Sequence, residues 1–319
     1  MVALTVILDG ASEPLGRGPT SLERARMPVL DSLAREGLLS RLRTVPPGLS
    51  VGSEHALPTL LGWPPPAPVD RGMLEAAAQE LSLGDGERAW RLDVRAGGER
   101  ADEATVERVA AELVALLPRH ALWRLAGHRL LLSGRGPLPD LAPEDVWVWP
   151  EGVVPPPLLT PETVVVAARG AAAGTARLMG ATVVVPEGAT GSLDTNLGAK
   201  ARATQRALAA GADEVVVHVG AADEAAHRKD PRGKVRVLEQ IDRQLLAPLA
   251  RAVRAHAGTL RICSDHGCDP HTGLHDDAPV PCLTWSPEAP EPAQPRRLTE
   301  RAVAGLELVD LTRVQELVA

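Results

Sequence analysis

A chain of 319 residues with 45% hydrophobic content is long enough to bury one large core with an inserted subdomain, or two cores. Its formal charge of -7, with no basic block, leaves no electrostatic footprint for nucleic acid, and no apolar run approaches the roughly 18–20 residues of a membrane span. Three cysteines are too few for a disulfide framework and the start lacks the features of a signal peptide, so a soluble cytoplasmic protein acting on a small molecule is expected.

In chain order, VALTVILDG is an apolar strand over about residues 2–8 that ends in Asp9 and Gly10. In SLERARMPVLDSLAREGLLS the residues Leu22, Ala25, Val29, Leu33 and Ala34 repeat with helical spacing, with Ser21 as the cap and Gly37 as the stop. TVPPGLSVGSEHALPTLLGW is rich in turn residues and sets Ser53 behind a glycine; the prolines of PPPAPVDRG then predict a crossing between domains. Helix MLEAAAQEL, strand AWRLDV, helix DEATVERVAAELVALL and strand HRLLLSG follow, closed by the Pro-rich PEGVVPPPLLTPE. The remainder alternates as TVVVAA, AAGTARLMG, ATVVVP, LGAKARATQRALAAG, EVVVHV, KVRVLEQIDRQLLAPLARAVRAH and TLRICS, a series that predicts a mostly parallel sheet with helices on both faces. The expected fold class is α/β, with a core of residues 1–66 and 158–319 and a smaller inserted α/β domain over 67–157. SPEAPEPAQPRR is expected to be a surface loop before a last amphipathic helix.

The chemistry-bearing residues fall at predicted strand ends, where ligands gather in α/β sheets. Asp9 ends the first strand, and Asp265 and His266 follow TLRIC, with His275 just beyond. Asp223 and His227, four apart in GAADEAAH, share one face of a helical turn and can grip one cation. Each pair alone reads as an ordinary surface acid and histidine. Together the six side chains suffice for two divalent cations about 3.5–4 Å apart, the arrangement that clamps the attacking and leaving oxygens of a phosphoryl transfer. Ser53 is the candidate nucleophile, since a serine bound to a cation reacts as the alkoxide. Cys268 lacks CxxC spacing and reads as a small buried residue in preference to a zinc ligand. His55 reads as a partly exposed turn histidine in preference to a proton shuttle.

LDG with Asp9, SLERARMPVLDSLAREG, PPGLSVGSE, PEGATGSLDTNLGAKA, HVGAADEAAH, KVRVLEQID and SDHGCDPHTGLHDDAPVP resemble, in order, the motifs of the archaeal-type cofactor-independent phosphoglycerate mutases of the alkaline phosphatase superfamily. The resemblance covers nearly the whole chain. It implies an alkaline phosphatase-like core in which Asp223, His227 and His275 hold one metal and Asp9, Ser53, Asp265 and His266 the other, with Ser53 becoming phosphorylated. It also implies manganese, or magnesium or zinc, no 2,3-bisphosphoglycerate, and interconversion of 3-phosphoglycerate and 2-phosphoglycerate. Arg169 falls where the family has a lysine and is expected to steady the phosphate or the leaving oxygen. Asp93 and Arg95 in RLDVRAGGER, and Arg129 in GHRLLLSG, are expected to bind the glycerate carboxylate and hydroxyls.

Two departures stand out. A longer family segment between the strand of Arg129 and the return to the core is missing, and Glu54, His55 and Pro58 follow Ser53 where the archaeal pattern has an acid, a threonine and later a histidine. They leave open a metal-dependent phosphatase or phosphotransferase on the same core, acting on another small phosphorylated metabolite. A non-catalytic binding protein is disfavoured, because buried carboxylates without a cation are costly.

Overall fold

The opening apolar run forms strand Ala3–Leu8 in the computed structural model, which describes residues 2–16, 18–138, 145–288 and 297–312. Edge to edge, its eight-stranded sheet runs Leu308–Asp310, Leu38–Arg43, Val280–Trp285, Thr259–Cys263, Ala3–Leu8, Glu214–Val219, Thr163–Val166 and Thr182–Val184. Of these strands, Val280–Trp285 alone runs against the others. It returns from Thr259–Cys263 without the helical crossover that a parallel neighbour needs, and the loop of that return carries Asp265, His266, Cys268 and His275.

Side chains alternate between the faces. Leu4, Val6 and Leu8 pack with Val217 and Ile262 on one side, whereas Ile7 packs with Val165, Val216, Cys263 and Cys282 on the other. Both faces are apolar, and helices cover both, as a buried mostly parallel sheet requires.

Residues 87–148 build a second, antiparallel sheet in the order Glu99–Arg100, Glu87–Ala96, Arg129–Arg135, Ala121–Arg124, with Val146–Val148 also paired to Glu87–Ala96. Alternation along RAWRLDVRA sorts its faces: Trp90, Leu92 and Val94 pack under helix Glu103–Leu116, and Arg91, Asp93 and Arg95 line a cleft shared with the large sheet. The two chain crossings between the sheets run side by side. Val69 and Val153 form a parallel bridge, with Asp70 N–H donating to Val153 O at 2.9 Å and Val153 N–H to Pro68 O at 2.8 Å.

Several local expectations are corrected. The helix expected from Ser21 to Gly37 is two pieces, Ser21–Arg24 and Pro28–Glu36, and Thr20 is the cap of the first, in a reciprocal capping box with Glu23. LLSRLR is a strand, because Leu38–Arg43 finds a partner in Val280–Trp285 that no local pattern announces. The supposed turn around Ser53 is the start of helix Ser53–Leu60. The long helix after Asp230 carries a π-turn over Asp242–Leu246, where the Asp242 carboxylate accepts from Val29 and Leu30 N–H at 3.1 and 2.8 Å and so satisfies the start of Pro28–Glu36. Near the end, helix Glu300–Val303 is a single turn followed by an edge strand; residues 289–296 of the expected surface loop lie outside the described residues. No helix among the described residues is long and apolar enough to cross a membrane.

Candidate metal centre and cleft

Strand ends and short helices bring the seven expected ligand residues to one place. Asp9 lies just past Ala3–Leu8; Gly10 has φ +57°, and a Cβ there would stand 2.5 Å from Asp223 Oδ1. Glycine is what lets helix Ala221–His227 press its acid against the end of the central strand. Asp265 Oδ1 accepts from Gly10 N–H at 3.1 Å and His266 N–H at 2.9 Å, leaving Oδ2 to accept from Ser53 Oγ at 2.8 Å. Ser53 Oγ is also 3.3 Å from Asp9 Oδ1 and 3.4 Å from His266 Nε2.

A second donor set adjoins the first. His227 Nε2 is 3.1 Å from Asp223 Oδ2, His275 Nε2 is 3.4 Å from Asp223 Oδ1, and the two Nε2 atoms are 3.0 Å apart. Nδ1 of His227, His275 and His266 lies within hydrogen-bond reach of a backbone carbonyl, of Gly273, Val51 and Gly267 respectively. When Nε2 is deprotonated, an Nδ1–H donating outward leaves each of these imidazoles a lone pair facing the centre, the arrangement that orients metal-ligating histidines.

Two residues outside the expected seven belong here. His218, the one histidine of the run EVVVHV, has Nε2 buried without a hydrogen-bond partner, 3.4 Å from Asp9 Oδ2. Burial pushes its imidazole down to about 4, so it is a neutral donor near neutral pH. The signal that could have found it is a lone histidine inside an otherwise apolar central strand. Cys268, expected to be idle, has its sulfur in one cluster with Asp223, His227 and His275, all four donor atoms lying within 4.8 Å of one another.

The electrostatics fit a cation. Burial, then the charges of Asp265 and Asp223, raise the Asp9 carboxyl well above its ordinary value. Burial also works to raise Asp223 and Asp265, but the neighbouring histidines outweigh it and hold both carboxyls low; hydrogen bonds from His227 and His275 lead at Asp223, and the charge of His266 leads at Asp265. Asp223 Oδ1 is buried without a hydrogen-bond partner. Three clustered carboxylates, one of them raised by burial and by the charges of the other two, with an unpartnered oxygen and an unpartnered imidazole nitrogen lining the same cleft, are a donor set that could hold a divalent cation.

Facing this centre across a cleft of about 440 Å³ is the polar side of the second sheet. Asp93, Arg95, Arg129 and Arg169 all line that cleft. Arg169 is exposed at the end of Thr163–Val166, Arg95 stacks over Trp147 at 5.3 Å, and Arg129 has its Nε buried without a partner. Asp93 is more engaged than its sequence context implied: it accepts from Arg91 Nε and Trp149 Nε1, each at 3.0 Å.

A buried ion network missed by sequence reasoning ties this wall to the serine. Glu54 accepts from Arg71 at 3.1 Å, Arg71 bonds Glu75 at 3.2 Å, Glu75 accepts from Arg91 at 3.0 Å, and Arg71 and Arg91 both lie over the Trp149 ring. Burial works to raise Glu75, but Arg71 and Arg91 outweigh it and hold its carboxyl below the ordinary 4.5; that stabilisation is fully present above 4.5 and is lost as pH falls through the lower folded value. Arg91→Ala leaves the buried Asp93 without its guanidinium and Glu75 with Arg71 alone, and is expected to cost about 3–5 kcal/mol, measured by urea unfolding at neutral pH. A cost under about 1 kcal/mol would show that the network is not formed in solution.

His55 is neither a shuttle nor exposed. It is buried in helix Ser53–Leu60, Nδ1 lying 2.8 Å from Ser50 O and Nε2 accepting from Val69 N–H at 3.1 Å, so it braces the serine's helix against the first crossing.

Comparison with known proteins bears on the same centre. The family model described as Metalloenzyme superfamily matches residues 1–318. A 2,3-bisphosphoglycerate-independent phosphoglycerate mutase of Methanopyrus kandleri is 28% identical, over 90% of this chain and 88% of that protein. A probable enzyme of the same name from Geobacter sulfurreducens is 27% identical, over 99% of each. Among solved structures, the PH0037 protein from Pyrococcus horikoshii superposes with a TM-score of 0.80 at 26% identity, covering 99% of this chain and 94% of its own. The cofactor-independent phosphoglycerate mutase from Thermoplasma acidophilum shares the fold, with a TM-score of 0.63 at 18% identity over 99% of this chain and 98% of its own.

Proposed function

The chain belongs to the metalloenzyme superfamily, and from that premise we propose that it is a cofactor-independent phosphoglycerate mutase, interconverting 3-phosphoglycerate and 2-phosphoglycerate through a phosphoserine at Ser53. The observation that carries this reading is the position of Ser53 Oγ. It sits at the meeting point of Asp265, Asp9 and His266, opposite a wall of arginines. The names of the curated relatives supply the substrate.

In this reading Asp223, His227 and His275 hold one divalent cation, and Asp9, Ser53, Asp265 and His266 hold the other, with manganese foremost and magnesium or zinc as alternatives; His218 adds a further donor beside Asp9 and Asp265. When bound, the cations lower the pKa of the serine hydroxyl and offset charge on the phosphoryl oxygens. Asp265 aims Ser53 Oγ into the cleft by its hydrogen bond. Arg169 steadies the phosphoryl group, and being a guanidinium it binds two oxygens at once without giving up a proton. Arg95 and Arg129 take the glycerate carboxylate, and the unpartnered Arg129 Nε is a donor held ready for it. Asp93 keeps lone pairs for a substrate hydroxyl beside its bonds to Arg91 and Trp149. Residues 67–157 act as a substrate-binding domain over the core of 1–66 and 158–319, keeping water from the phosphoserine. The three cysteines are free thiols, which agrees with a cytoplasmic location.

A second reading, hydrolysis of the phosphoserine, is favoured by one feature: only ten residues separate Arg135 from Val146, where the second sheet ends. A time course with 3-phosphoglycerate and manganese, following 2-phosphoglycerate and free phosphate together, decides between them. The expected result is 2-phosphoglycerate without phosphate release. Phosphate release without isomerisation moves the chain to the phosphatases.

A further inference from the structure

We propose that Cys268 is a fourth donor of the Asp223, His227 and His275 set, and that this set selects zinc or another thiophilic divalent cation over manganese and magnesium. The inference rests on the two-cation reading above and refines one of its sites.

Four observations converge on the cysteine. Its sulfur lies within 4.8 Å of the donor atoms of Asp223, His227 and His275. The short strand Gly267–Cys268 pairs with His275–Asp276 so that Cys268 stands directly opposite His275, and side chains opposite each other in a ladder project to the same face. The backbone of Cys268 is pinned on both sides, its N–H donating to Ser12 O at 2.8 Å and its O accepting from the fully buried Lys234 Nζ at 2.7 Å. The other two thiols, Cys263 and Cys282, face each other across the main sheet and do not compete for the site.

The spacing suits the chemistry. Donors about 2.0–2.3 Å from one zinc ion stand roughly 3.3–3.8 Å apart in a tetrahedron. Here His227 Nε2 is 3.0 Å from His275 Nε2 and 3.1 Å from Asp223 Oδ2, His275 Nε2 is 3.4 Å from Asp223 Oδ1, and the sulfur lies within 4.8 Å of the other donors, close to that scale. Two imidazoles, one carboxylate and one thiolate form a set that soft or borderline cations prefer, whereas the neighbouring set of Asp9, Ser53, Asp265 and His266 is richer in hard oxygen and suits manganese or magnesium. Binding forms a sulfur–metal bond and releases the thiol proton to solvent.

Cobalt is the probe. Purified protein is stripped with a chelator and titrated with Co²⁺, reading the near-ultraviolet sulfur-to-cobalt charge-transfer band together with bound metal per chain. Two ions bound with the band present, the band lost in Cys268→Ser and kept in Cys282→Ser, is the expected result. In competition, Cys268→Ser is expected to lower zinc affinity by about tenfold or more, since even indirect support of a ligand is worth 10–100-fold, with manganese affinity at the neighbouring set little changed. Two ions bound without the band overturns the cysteine ligand and leaves the two-cation reading standing. Fewer than two ions bound overturns both. Cys268→Ala, which binds two ions and shows the native circular dichroism, separates loss of the band from loss of the fold.

Discussion

Ser53→Ala is expected to abolish phosphoenzyme formation and to lower turnover by about 10⁴-fold or more, the scale on which removing a nucleophilic serine is felt. The variant should fold normally, because Ser53 starts its helix without contributing a side-chain cap and is only half-buried. Metal stoichiometry should hold as well. The hydroxyl is one donor among Asp9, Asp265, His266 and His218, and none of those depends on it for orientation: Asp265 is fixed by two backbone N–H groups and His266 by a carbonyl. Acid-stable labelling with phosphorylated substrate and metal analysis on the same sample test both halves. Turnover near the wild-type rate in the labelled-negative variant would remove Ser53 from the reaction altogether.

Asp9→Asn carries the second large effect, and its sign depends on metal. Because the folded carboxyl value is raised above the ordinary 3.8, the contribution of Asp9 to stability is fully present below 3.8 and is lost as pH rises through the raised value and the group ionises against Asp265 and Asp223. Asparagine mimics the protonated acid at every pH. At neutral pH the metal-free variant is therefore expected to melt above the metal-free parent, each kcal/mol relieved being worth roughly 2–4 °C in a large domain, and the gap should close in acid. With saturating manganese the order reverses. The parent gains about 2.7 kcal/mol when the cation stands at a hundred times its Kd, and the variant, lacking one charged ligand, gains less. Calorimetry of both proteins with and without metal reads all four melting points. If metal-free Asp9→Asn melts below the metal-free parent, the carboxylates are not under repulsion and the centre has been misread.

The sequence made the large sheet legible to different degrees. Strands such as EVVVHV and TLRIC announce themselves by their clusters of β-branched and other apolar residues, and the acids beyond them stand out because the clusters end there. Leu38–Arg43 and Thr20's cap were hidden for opposite reasons: the first is stabilised by a partner some 240 residues away, the second by a hydroxyl one position from an equally plausible one. The seven residues that meet at the candidate centre were readable because several sit in short, distinctive strings. His218 was not, since a histidine in a valine run looks like an interruption of the core. Arg71, Glu75, Arg91 and Trp149 were unreadable for another reason; each is ordinary alone, and only the stacking of helix Arg71–Ala78 on Glu87–Ala96 makes them a circuit. Spacing to other cysteines says nothing about Cys268, whose neighbour across a two-residue ladder is His275.

The pairing of Val69 with Val153 has an evolutionary reading. A segment of more than eighty residues enters and leaves the larger fold through adjacent rungs, so two or three residues could bridge the gap in its absence. Among the described residues the candidate cation donors lie in the larger fold, and the arginine-lined wall lies mostly in the inserted segment. Under the proposed phosphoserine chemistry, whether water or a second hydroxyl receives the phosphoryl group would then be a trait of the inserted segment, open to change by lengthening or shortening it while the donor cluster beneath stays as it is.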